Sequence, residues 1–273
     1  MTDPDGESRP IPPRARVTLP LGSLPSLPAP LAKLLQLANN PMASPDDLRE
    51  AVEKVPDFAA RLLRALAVMG PDARSVDQAL REIGTRGVRG VVSALALAPL
   101  FDQNLARSVD PARVAAHGVA CALWSAEVAL AVGHQPSAHL LTAALMHDVG
   151  MVLLDRVAPD DYAATLEQAR RDARHHADLE QEDLGMTHTR AGALLCAKWM
   201  LPPRITQLVA GHHLHDAGGS TDGALLAVAD HLASVHGAAI FDASPPRPLT
   251  PELLARLGLD ADALDALGAM APT

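Results

Sequence analysis

From Leu24 to Met270 the apolar residues recur at helical spacing, and no stretch of useful length alternates apolar with polar. That periodicity, broken repeatedly by residues that start helices, restricts the chain to an all-α architecture. Ser44 precedes Pro45 and two acids, Ser75 precedes "VDQALREIG", Asp110 precedes Pro111, and Thr187 precedes "HTRAGALLCAKWM". In each case a short polar side chain can accept from the exposed N–H groups of a first turn. Helices are also expected over "PLAKLLQLANN", over "DFAARLLRALAVMG" ending at Gly70, over "RGVRGVVSALALAPLF", and from Asp110 to about Val132. Further helices are expected from Pro202–Pro203 to His212–His213, from an Asp222 cap to Gly237, and as two short segments near the C-terminus. Aromatic residues make up only 2% of the 273, so the core must be built from Leu, Ala and Val.

The division expected is a disordered Pro-rich tail over 1–23, an N-terminal bundle of about five helices over 24–106, and a second helical half over 107–273. The loop at 101–110 is the junction. It is short and lacks a Gly/Ser linker, so the two halves should pack together through an apolar interface. The net charge is −9, from 23 basic and 32 acidic residues. That weighs against nucleic acid and anionic membranes as partners. Arg81, Arg86 and Arg89 form a local basic stretch that reads as a solvated face, as do Arg170, Arg171, Arg174, His175 and His176. Cys121 and Cys196 read as buried thiols in a reducing compartment. The N-terminus has no apolar signal segment. The apolar run at 139–157 approaches the length of a membrane span but contains His147, Asp148 and Asp155. A cytoplasmic protein is the expectation.

Within that helical pattern, seven titratable residues fall where apolar neighbours should be. His117 has Val114, Ala120 and Cys121 around it, and Asp230 has Leu226, Ala227 and Ala233. His147 and Asp148 interrupt "LLTAALMHDVGMVLL" and mark a helix end; His212 and His213 close another helix. His188 lies in a first turn, where the dipole disfavours imidazolium and keeps the ring neutral. Singly, a histidine on an apolar face is ordinarily a hydrogen-bonded core residue. Together, five imidazoles and two carboxylates suit Fe, Mn or Zn and exceed what one ion can use, which points to a dinuclear centre.

The order H…HD…H…HH…D resembles the HD superfamily of metal-dependent phosphohydrolases in its HD-GYP-like form. The whole chain resembles an HDOD protein, through "LPSLPAPLAKLLQLANNP", "SPDDLREAVEKVPDFAARLLR", "SVDQALREIG", "LLTAALMHDVGMVLL", "AGALLCAKWMLP", "LVAGHH" and "LLAVADHLA". The resemblance implies an N-terminal helical bundle packed against an HD-domain-like helical core. It also implies two divalent transition ions (Fe, Mn or Zn) and no organic cofactor. One ion would take His117, His147, Asp148 and Asp230. The other would take His188, His212 and His213, with Asp148 shared. Where active relatives carry a Lys to hold phosphate, this chain has Met151. The Gly-Tyr-Pro-type loop is absent from "HHLHDAGGSTDG", and Arg113 stands where a Glu can serve a third ion. "VPDF" and "ALAVMGPD" also depart from the family pattern in the N-terminal half. The resemblance therefore implies a bacterial signal-transduction module with protein partners or a phosphate-bearing ligand and little or no catalysis. The alternative is a metal-dependent phosphohydrolase.

Overall fold

The computed structural model describes residues 16–55, 58–63, 74–82, 84–98, 108–214, 219–241 and 246–269. Among these residues the regular structure is entirely helical. The N-terminal half contains α1 (Ala29–Ala38), α2 (Pro45–Glu53), α3 (58–63), α4 (Val76–Glu82) and α5 (Gly84–Leu97). The second half contains α6 (Pro111–Ala131), α7 (Ala138–Met146), α8 (Val149–Val157), α9 (Pro159–Asp172), α10 (His176–Leu179), α11 (His188–Lys198), α12 (Pro203–Gly211), α13 (Thr221–Ala233), α14 (Pro251–Arg256) and α15 (Ala261–Ala269). The expected helix end at Gly70, the side chain of Arg86 and most of the 101–110 junction lie outside the described residues.

The caps follow the sequence. Ser44 and Asp47 exchange side chain and backbone bonds in a complete capping box. Asp110 accepts from the Ala112 N–H at 2.8 Å, and Thr187 accepts from that of Arg190 at 3.2 Å. For α13 the cap is Ser220, accepting from Gly223 at 3.0 Å, and not Asp222. Asp222 instead sits in the first turn, where its charge still favours the helix end.

The second half is organised around α6, which packs on α7 and α13, while α11 packs on α8 and α12. α6 alone among the described helices has the length and hydropathy of a membrane span. It turns Val114, His117, Cys121, Trp124 and Val128 into the protein. Two glycines set the closest approaches. A Cβ on Gly118 would lie 2.6 Å from the Leu145 carbonyl oxygen, and one on Gly150 would run into the carbonyl of His188. Asp155, fully buried, accepts the N–H groups of Ser108 and Val109 at 2.8 and 3.1 Å, tying the entry of α6 to α8.

The two halves meet through α5, which packs on α1 and α7. The contact is not wholly apolar as expected. Buried Asn39 donates to the Leu35 carbonyl at 2.9 Å and accepts from Thr142 of α7 at 2.8 Å. Thr142 also lies 3.3 Å from Ser93, and His139 donates to the Asn39 carbonyl at 3.0 Å. Arg89 belongs to the same region. Its guanidinium donates to the carbonyls of Asn40 and Ala43 in the turn between α1 and α2, so it is a structural group and not a solvated one.

Residues 16–23, assigned to the tail by their Pro-rich composition, are partly packed. Val17 and Leu19 are buried, and the Val17 N–H donates to the Leu184 carbonyl at 2.9 Å. Lys198 and Trp199 donate to the Leu21 and Pro25 carbonyls, fastening this strip to α11.

Truncating a buried hydrogen-bonded side chain leaves its partner unpaired at a cost of about 1–3 kcal/mol. Asn39→Ala should therefore lower unfolding stability by that amount, read from the urea midpoint, and Thr142→Val should show a comparable loss.

A candidate metal centre

Chain breaks between helices position the site. The apolar run at 139–157 does not form one helix. α7 ends at Met146, His147 and Asp148 turn the chain, and α8 starts at Val149. Gly150 allows α8 to press against the first turn of α11, bringing Asp148 to His188. Gly192 keeps α11 close to Val209 of α12 and to the His147 carbonyl. His212 and His213 follow the last residue of α12, and Asp230 comes from the last turn of α13.

All seven residues singled out in the sequence converge. One Asp148 oxygen lies 3.0 Å from His147 Nε2 and 3.5 Å from His117 Nε2. The other lies 3.3 Å from His188 Nε2 and 3.4 Å from His212 Nε2. Asp230 Oδ1 is 3.0 Å from His117 Nε2 and 3.9 Å from His147 Nε2. For His213 the near carboxylate is Asp230, at 3.9 Å. His117, His147, His188 and His212 are at most 3% exposed, and Asp148 is 5% exposed.

The outward nitrogens explain the inward ones. Nδ1 of His117, His147 and His212 bonds the carbonyls of Ala238, Ala144 and Val209 at 2.8–2.9 Å. Nδ1 of His188 bonds Glu180 at 2.7 Å. A carbonyl or carboxylate partner requires the proton on Nδ1, which turns a bare Nε2 lone pair inward. These lone pairs face carboxylate oxygens, and His188 Nε2 faces His212 Nε2 at 3.4 Å. Acceptor facing acceptor in a buried site needs a proton on Nε2, as on the raised His117 and His188, or a metal cation between them. His147 Nε2, Asp148 Oδ1 and His213 Nε2 are buried with no hydrogen-bond partner. The donor set, its orientation and these orphaned atoms fit a metal centre. The ligand atoms fall into two groups, each within 4.8 Å: His117, Cys121, His147 and Asp230, and Asp148, His188, His212 and His213.

Four side chains in this region escape a reading of the sequence. Cys121 lies 3.4 Å from His117 Nε2, and burial pushes its thiol up to about 12. Glu180, fully buried, accepts from both the backbone N–H and Nδ1 of His188 at 2.7 Å and from the Tyr162 hydroxyl at 2.8 Å. His175 and His176, expected on a solvated face, instead turn inward against His213 and His188. The available signal was the i, i+4 pair His176–Glu180 with Ala177, Leu179 and Leu184 around it, an apolar stripe inside an acidic run.

Burial and charge divide the histidines. Burial opposes charge on His188, but Glu180 outweighs it and pushes the group up to about 10. The neutral ring expected from the helix dipole is thus overridden by two carboxylates, Glu180 first and Asp148 with it. Burial likewise opposes charge on Glu180, and His188 outweighs it, bringing the acid down to about 2. Burial, then the neighbouring imidazoles, hold His176 and His213 well below the usual histidine range. Burial and the Arg247 guanidinium bring His175 down to about 4. Asp148 is held well below the carboxylate range: burial works against the charge, and His147 leads the imidazoles that overcome it.

A cavity of about 40 Å³ adjoins the site, lined among others by His117, Asp148, Met151, His176, Asp230 and Arg247. Met151 is 1% exposed and presents an apolar wall to this cavity. Arg247 brings a guanidinium to the same cavity from the segment before α14. Its terminal nitrogen bonds Asp178 at 2.8 Å, and its Nε is buried without a partner.

A family model for the HDOD domain matches residues 24–215. The chain belongs to the HDOD domain family. Its fold is shared with solved structures. The "Putative phosphohydrolase" of Shewanella amazonensis SB2B superposes with a TM-score of 0.73 at 25% identity, covering 92% of this chain and 91% of that one. An HDOD domain protein of unknown function from Geobacter sulfurreducens gives 0.69 at 17% identity, over 91% and 84%. A "Putative signal transduction protein" from Marinobacter aquaeolei VT8 gives 0.73 at 23% identity, over 94% and 61%. No curated protein matches the chain.

The Glu180–His188 pair sets a pH window for the metal-free protein. His188 is raised in the folded state, so its contribution is complete below the ordinary histidine pKa of about 6.5 and is lost as pH rises through about 10. Glu180 is depressed, so its contribution is complete above about 4.5 and is lost as pH falls through about 2. The stability difference between wild type and Glu180→Gln, from chelator-treated protein, should therefore be largest between about pH 4.5 and 6.5 and shrink on both sides. A difference independent of pH would show that the pair does not titrate as described.

Proposed function

We propose that this HDOD protein is a bacterial regulatory module whose HD-like half holds two transition-metal ions and senses a phosphate-bearing ligand or a signalling partner, with little or no turnover. One ion is held by His117, His147, Asp148 and Asp230. The second is held by His188, His212 and His213, with Asp148 shared. Fe, Mn and Zn suit this mixture of imidazole and carboxylate. An ion pair of this kind, when bound, acidifies water and polarises a phosphoryl oxygen.

The observation that carries the regulatory reading is the cavity. At about 40 Å³ among the described residues, it admits a few water molecules at roughly 10–15 Å³ each, or the tip of an oxyanion. Any larger part of a ligand would lie outside it, in the adjoining groove that His213 and Arg247 also line. Met151 closes the wall where a phosphate-binding cation belongs, and losing one such group costs about 10²–10³ in rate by analogy with oxyanion sites. In this reading Arg247 binds an anion at the mouth, and Asp148 and Asp230 keep their charge for the ions.

The second reading, a metal-dependent phosphohydrolase, is favoured by the complete ligand set and by the Arg247 guanidinium. The Shewanella amazonensis relative is named "Putative phosphohydrolase". Turnover separates the two. Metal-loaded protein should hydrolyse neither cyclic-di-GMP nor simple phosphoesters at a measurable rate. Efficient hydrolysis, abolished by Asp148→Asn, would establish the enzyme instead.

Two further outcomes follow from the residue roles. Native protein purified without chelators should contain about two equivalents of transition metal by elemental analysis. Asp148→Asn should lose most of it, since even outer-shell changes cost about 10–100-fold in metal affinity. Inorganic phosphate binding to the loaded protein should weaken at least about tenfold in Arg247→Ala and strengthen in Met151→Lys, measured by calorimetry.

A further inference from the structure

Beyond the two inner positions, we propose a third metal site at the mouth of the centre, formed by His175, His176 and His213 and selective for ions that prefer imidazole. Ligand nitrogens of these three residues lie within 4.8 Å of one another. The His175 ring stacks on His176 with centroids 4.3 Å apart and meets His213 edge-on at 4.5 Å.

Two independent features point to a ligand here. His176 is only 7% exposed, and both its ring nitrogens are buried without a hydrogen-bond partner. A neutral imidazole always carries one donor and one acceptor, so neither is satisfied by the protein. His213 adds a third such atom, Nε2. These rings are held by Phe241 and by each other, not by acceptors that would explain their burial.

The second feature is the placement of His213, whose ring nitrogens reach both groups: Asp148, His188 and His212 on one side and His175 and His176 on the other. His117, His147, His188 and His212 all bring Nε2 within 3.5 Å of Asp148, whereas His213 is nearest Asp230, at 3.9 Å. When the outer site fills, His213 passes from the second inner ion to the outer one, which leaves Asp148, His188 and His212, still three protein ligands, for that inner ion. The outer site is distinct in residues from the position at Arg113, whose guanidinium donates to the Ala239 carbonyl.

Chemistry sets its preference. Three neutral nitrogens and no carboxylate suit Zn, Cu, Ni or Co over Mg or Ca. Bonds of about 2.0–2.1 Å require the nitrogens to draw together by roughly an ångström, within reach of side-chain rotation. His175 now accepts the Ala177 N–H at Nδ1, 3.2 Å away. Coordination through its Nε2 needs the proton on Nδ1, so the ion displaces that cap. The Arg247 guanidinium lines the same cavity and opposes a cation, with Asp178 partly offsetting it. The outer ion should therefore bind more weakly than the inner pair and exchange first.

The test is titration of chelator-stripped, full-length protein with Co(II), read by visible absorption and by equivalents retained after desalting. The inference builds on the two-ion reading, and Asp148→Asn separates them. Wild type should take up three equivalents, the third weakest, and His175→Ala/His176→Ala should stop at two. Asp148→Asn should lose the inner ions while keeping the outer. His175→Gln, at the more exposed position, should weaken the third step at least tenfold with unchanged circular dichroism, which guards against a folding failure in the double variant. If the double variant and His175→Gln match wild type in stoichiometry and spectrum, the outer site does not exist, whatever Asp148→Asn does. If Asp148→Asn retains one equivalent that its combination with His175→Ala/His176→Ala abolishes, the outer site stands even where the inner assignment fails.

Discussion

The structure depends on a carboxylate that has no ordinary reason to be buried. Asp148 is 5% exposed, and imidazole nitrogens from α6, from the α7–α8 turn, from α11 and from the end of α12 face its two oxygens. Each of those elements is placed by something other than the carboxylate. Gly118 lets α6 approach α7, and Gly150 lets α8 meet α11. Asp155 ties the start of α6 to α8. Helix packing therefore brings the nitrogens together before any ion is considered, as a preorganised site requires. The backbone carbonyls of Ala144, Val209 and Ala238 then orient the rings.

Helices were legible in the sequence wherever a cap coincided with a periodic apolar face. Ser44, Asp110 and Thr187 each start the helix expected of them. The break at His147–Asp148 was legible as well, because a charged pair followed by Gly150 ends an apolar run. The seven convergent residues stood out because each occupied an apolar face. His175, His176 and Glu180 did not stand out, since their polar neighbours hide the inward stripe. Val17 and Leu19 were missed for a different reason. They are buried in extended chain, where Pro-rich composition leaves no period to read.

The interface between the halves shows the same limit. Periodicity identifies α1, α5 and the apolar run that holds α7 as helical, but it does not show that Asn39, Ser93 and Thr142 find one another across them. That network is specific where an apolar contact would be permissive, because a displaced register would leave buried polar groups unpaired. It also fixes α7, whose last turn leads directly into His147. The N-terminal half thus bears on the centre through the position of α7 rather than by adding a ligand.

Keeping these polar groups inside has an energetic consequence. A buried polar atom without a partner costs about 1–3 kcal/mol, and the whole margin of a folded domain is about 5–15 kcal/mol. The region holds five such atoms, on His147, Asp148, His176 and His213. Uncompensated, they would consume much of that margin; protons or metal ions supply the compensation. A ligand that binds only the folded state adds RT ln(1 + [L]/Kd) to its stability. Ion occupancy and the rigidity of α8, α11 and α12 are therefore one linked equilibrium. On the regulatory function proposed above, the state of the centre would reach a partner through the packing of those helices, with no chemical step.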